Sequence, residues 1–149
     1  MTHRMSRAAI YVGVVAVTLL LASVGAAALP KGAVKGTLTL GFLAKYDNPL
    51  AHRMTYRSVW CAWSKNKHVT VHVTMKNGSV EHVTTTLLPK YYIAGGGVHG
   101  DSPFSSAQTK GFDAGEVRSL YLDAGAPKGV KPYARISKCA PELFDVKSG

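Results

Sequence analysis

His99, Asp101 and Ser102 stand within the stretch Gly95-Gly-Gly-Val-His-Gly-Asp-Ser-Pro and supply the residue types of a hydrolytic triad: base, orienting carboxylate and hydroxyl nucleophile. A working triad needs the hydroxyl and imidazole at about 3 Å, a third group behind the imidazole and an oxyanion hole in front. Neighbours along a chain rarely meet those demands together, and the sequence has no Gly-x-Ser-x-Gly elbow to strain a serine into position. Hydrolysis by His99, Asp101 and Ser102 is therefore the weakest of three functional readings. The same glycines could present backbone N–H groups to an anion.

The histidines raise the question of metal binding. Val69, Val71, Val73 and Met75 alternate with His68, Thr70, His72 and Thr74, the pattern of a strand with one wet face. Asn77-Gly78 tolerates positive φ, so the sequence predicts a hairpin in which residues 80–88 run back and His72 faces His82. A metal needs a third ligand, and His68 lies roughly 13 Å from His72 at about 3.3 Å per residue. No metal site and no cofactor are expected.

Cys61 and Cys139 are the only cysteines and lie outside any Cys-x-x-Cys pair. The start of the chain says where they work. Arg4 and Arg7 precede an uncharged stretch, residues 8–30, that ends in small residues with Ala26-x-Ala28 as a cleavage site. This is the pattern of a signal peptide, residues 1–28, the alternative being a retained transmembrane signal anchor over residues 8–30. Either form delivers the domain to an oxidising, extracytoplasmic space, where the two cysteines are expected to pair. Trp60 and Trp63 flank Cys61 and are expected to pack around the sulfurs, although their opposite parity leaves one indole for an outer surface.

Cleavage leaves 121 of the 149 residues, enough for one domain, with 16 basic against 8 acidic residues. The surplus favours anionic partners, but its even dispersion along the chain argues against a specific nucleic-acid site. Period-two alternation recurs over residues 37–42, 54–63, 68–75, 80–88, 91–93, 117–123 and 133–139. Residues 54–63 place Met54, Tyr56, Trp60 and Ala62 on one face. Six to seven short strands without a sustained helical stripe predict an all-β fold. The expected architecture is a single small antiparallel β-sandwich, immunoglobulin-like or a related Greek key, over residues 53–149. Residues 29–52 form an N-terminal segment with a possible first strand.

Residues 94–116 read as one long irregular loop, and loops of that length in a compact domain usually carry function. Its His99, Asp101 and Phe104 are the candidate binding residues. The leading functional reading is a secreted or cell-envelope noncatalytic binding module for a protein, a glycan or an anionic envelope polymer, touching the membrane only through an uncleaved leader. The second is a secreted enzyme inhibitor. Ala114-Gly115, followed by a strand, a turn and Ile136-Ser-Lys-Cys139, is similar over a minor part of the chain to the secreted bacterial amylase-inhibitor sandwiches, whose second disulfide and aromatic-basic inhibitory turn are absent here. If the leader is removed at its small-residue site, N-terminal sequencing of exported protein will begin at Leu29. Full-length protein held in carbonate-washed membranes would establish the anchor instead.

Overall fold

Valines at every second position favour extended backbone, because their branched side chains pack well on a pleated surface. Val69, Val71 and Val73 accordingly form the centre of a long buried strand in the computed structural model, which describes residues 28–95, 102–104 and 107–149. The chain runs through β1 (Val34–Lys35), β2 (Thr39–Leu40), a one-turn helix α1 (Phe42–Tyr46), a 3-10 turn (Ala51–Arg53), β3 (Met54–Trp63) and β4 (Val69–Asn77). It continues through β5 (Val83–Leu88), β6 (Tyr91–Ile93), β7 (Ser102–Phe104), β8 (Gln108–Phe112), β9 (Val117–Asp123), β10 (Ile136–Cys139) and β11 (Glu142–Ser148). Among the described residues no helix is long and apolar enough to cross a membrane.

The strands form three sheets, ordered β1-β3-β4-β9, β10-β6-β7 and β2-β11-β5-β8. The expected all-β character holds, and the ladders between named strands are antiparallel apart from the parallel pairing of β2 with β11. One buried cluster joins all three sheets. The first contributes Val71, Val73 and Leu122, the second Tyr91 and Ile93, and the third Val83, Leu87 and Phe112. Cys61 of β3 and Cys139 of β10 are bonded within this cluster, tying the first sheet to the second. The chain-entropy model assigns closure over 78 positions about 4.5 kcal/mol. Gly36 bridges to Cys139 so closely that a Cβ there would lie 2.1 Å from the Cys139 carbonyl oxygen.

Three expectations need correction. The first concerns β3, whose pairing with β4 shifts register between Tyr56 and Ser58 and leaves Arg57 as an extra residue. Such a bulge exchanges the two faces. Met54 packs on the core before it, whereas Val59, Cys61 and Trp63 do so after it, so Met54 and Tyr56 do not share a face with Trp60 and Ala62.

The second correction concerns the hairpin. β4 is paired with β3 along one edge and with β9 along the other, so no edge remains for residues 80–88 and His72 does not face His82. The reason lies in Asn77, whose side chain is fully buried. Its Nδ2 donates to the carbonyls of Glu81 at 2.8 Å and Asp113 at 3.0 Å, while its Oδ1 accepts from Ser79 N at 2.9 Å and Ser79 Oγ at 2.7 Å. This network turns the chain out of the first sheet toward β5 in the third.

Third, residues 94–116 are not one irregular loop. β7 pairs with β6, and β8 pairs with β5 across five residues from Gln108 to Phe112. Neither strand carries an alternating apolar face long enough to announce itself.

Replacing Asn77 with Ala strands buried carbonyls and the Ser79 amide, each costing about 1 kcal/mol or more. Asn77→Ala should therefore lower the unfolding free energy by about 3 kcal/mol in a urea titration. A loss below about 0.5 kcal/mol would show that the turn does not depend on this side chain.

Candidate functional site

Once the bulge has exchanged faces, every second residue of β3 points away from the core, and the neighbouring strands match it rung by rung. Lys35 of β1 pairs with Trp60 of β3, Trp60 with His72 of β4, and His72 with Tyr121 of β9. One row therefore crosses all four strands of the first sheet: an ammonium, an indole, an imidazole and a phenol. The indole and imidazole lie stacked, with centroids 4.8 Å apart and planes 19° from parallel. Tyr121 tilts against His72 at 4.7 Å and meets Trp60 edge-on at 6.2 Å. Cross-strand aromatic pairs of this kind stabilise a sheet, and here one face of the indole packs on His72 while the Tyr121 ring stays exposed.

Exposure separates the members of the row. His72 is buried at 7 % while Tyr121 is 65 % exposed, and Trp60 is half-buried between them in accessibility. The next rung carries hydroxyls. Ser58, Thr74 and Ser119 are registered across β3, β4 and β9, and Thr74 Oγ1 and Ser119 Oγ share a hydrogen bond of 2.9 Å. Both rungs line one groove of about 1080 Å³, bordered by Lys35, Arg57 and the segment from Ala28 to Pro30. Among the described residues no carboxylate lines it.

Burial holds the His72 imidazole below its ordinary pKa of 6.5, and its Nδ1 has no hydrogen-bond partner. On the opposite side of the aromatic row from the hydroxyls, Asp123 pairs with Thr70 and binds His68 Nδ1 at 2.9 Å, and that hydrogen bond, with one from the Gly125 amide, holds the Asp123 carboxyl below the usual range. This carboxylate is satisfied by its own neighbours. The groove thus brings together aromatic rings, hydroxyls and positive charge.

Of the residues singled out in the sequence, His99 and Asp101 lie outside the described residues. The backbones of Ser102 and Phe104 stand in β7 opposite Ile93 and Tyr91, in the second sheet rather than the first. His82 is exposed, with its Nδ1 2.8 Å from Asp113 Oδ1. Among the described residues no group of three His, Cys, Asp or Glu side chains is placed to hold a metal. Trp63 takes the core side, where its Nε1 donates to the Ala134 carbonyl at 2.7 Å, and Trp60 is the indole left on the outer surface. Lys35 and Tyr121 were not singled out. A usable signal existed for Tyr121, since it alternates with Leu120 and Leu122, an aromatic set between two core leucines. No known protein family, curated protein or solved structure matches this chain.

A histidine buried in its neutral form makes stability depend on pH. The unfolded chain takes up a proton at His72 near pH 6.5, whereas the folded chain resists it until a lower pH. Stability from this group is complete above that pH and falls as the pH drops below it. Asp123 adds a separate loss only further down, as its carboxylate is protonated. Between about pH 7 and pH 5 the melting temperature of His72→Phe should fall less than that of the parent. Equal slopes would show that His72 is not the group responsible.

Proposed function

We propose that this chain is an extracytoplasmic, noncatalytic binding module, a small β-sandwich of immunoglobulin-like or related Greek-key type that takes its ligand on the outer face of its first sheet. The observation that carries the reading is the row Lys35-Trp60-His72-Tyr121, which sets aromatic rings along a groove whose lining, among the described residues, contains no carboxylate. Exposed aromatics with a polar end are the residues that most often anchor a partner, because they combine large apolar area with little conformational freedom to lose. The Cys61–Cys139 bond fits an oxidising compartment outside the cytoplasm, as does the cationic, apolar leader read from the sequence.

The test compares two surfaces on one protein. Exported domain is sedimented with isolated cell-envelope polymer, and bound protein is measured for the parent, for Tyr121→Ala and for a combined replacement of His99, Asp101 and Phe104 by Ala. Tyr121 is exposed, so its truncation should lower the melting temperature by only a few degrees, the loss of its ring contacts with His72 and Trp60, while weakening capture at least about tenfold. If capture survives Tyr121→Ala and is lost in the combined variant, the binding surface lies in residues 94–116.

A further inference from the structure

Among the described residues, the charged side chains lining the groove are both cationic: Lys35 and Arg57. Both are exposed, and neither belongs to an ion pair among the described residues. Lys35 is the rung partner of Trp60 on β1, and Arg57 is the bulged residue of β3, three positions before Trp60. Beside them lie a ring platform and a rung of hydroxyls. At a strand spacing of about 4.8 Å, the four-strand row spans roughly 14 Å, the scale of a short oligosaccharide.

We infer that the groove takes an acidic glycan, a sugar chain bearing carboxylate or phosphate groups, and this rests on reading the outer face as the binding surface. Each part of such a ligand has a counterpart. A pyranose ring has a flat face of C–H groups that stacks on the exposed phenol or on the indole face not covered by His72. Its hydroxyl rim pairs with Ser58, Thr74 and Ser119, which a purely apolar partner would leave unanswered. Its acidic substituents reach Lys35 and Arg57, and a guanidinium matches carboxylate and phosphate oxygens two at a time. Single-stranded nucleic acid also combines stacking with negative charge. The registered hydroxyl rung and the oxidising compartment favour the sugar.

The experiment is calorimetric titration of the purified exported protein with polygalacturonate, a phosphorylated mannan, neutral mannan and a thymidine oligonucleotide. The variants are Tyr121→Ala, the pair Lys35→Gln with Arg57→Gln, and a control pair, Lys128→Gln with Lys131→Gln, which removes two exposed cations that do not line the groove. Melting curves identify any variant that fails to fold, and single replacements then stand in for the pair. At least one acidic glycan should bind ten times more tightly than neutral mannan. The groove pair should remove that advantage while the control pair retains it, and the preference between polygalacturonate and phosphorylated mannan identifies the acid. Equal binding of neutral and acidic mannan, or equal weakening by both pairs, overturns the inference. If Tyr121→Ala still abolishes binding in those cases, the reading of the outer face stands. Tighter binding of the oligonucleotide also overturns the acidic glycan, and binding indifferent to Tyr121→Ala removes both conclusions.

Discussion

A buried amide sets the course of this chain. Asn77 ends β4 inside the protein, where an unsatisfied carboxamide would be costly, and its partners lie on Ser79, Glu81, Phe112 and Asp113. To reach them the backbone must leave the first sheet. Without that departure β5 could fold back on β4, as the Asn77-Gly78 dipeptide suggests on local grounds. β9 takes the edge instead, and Tyr121 comes beside His72. The aromatic row is thus a consequence of where one polar side chain is satisfied.

The bulge at Arg57 has a comparable effect from the other side. A strand in regular register would carry Met54 and Trp60 on the same face, so one of the two would be misplaced. One unpaired residue relieves the conflict, letting Met54 and Cys61 both pack inward while Trp60 turns outward. It also delivers the Arg57 guanidinium to the groove. The disulfide then fixes β3 against β10 from within the core, one residue away from the outward indole.

The parts legible in the sequence were those in which burial follows a simple alternation. β4 and β9 have it, with Val71, Val73, Leu120 and Leu122 inward, and the pairing of Cys61 with Cys139 followed from there being no other cysteine. β8 was hidden because Gln108-Thr-Lys-Gly-Phe offers a single large apolar residue, and β11 because its register shifts between Leu143 and Asp145, which spaces Leu143 and Val146 by three. β1 and α1 are too short to show a period. The groove was less legible still. Its members come from β1, β3, β4 and β9, and only long-range pairing brings Lys35, Trp60, His72 and Tyr121 into line.

Leu29 lies in the wall of the same groove, directly after the small-residue site at which the leader is expected to be cut. If the leader is cut after Ala28 as proposed, hydrolysis of that peptide bond would turn an uncharged amide nitrogen into an α-ammonium group at that wall, supplementing Lys35 and Arg57 with a charge that no codon specifies. The precursor and the mature protein would then differ in more than length. Under the proposed reading of the leader, the cut would alter the charge of the groove as well as the length of the chain.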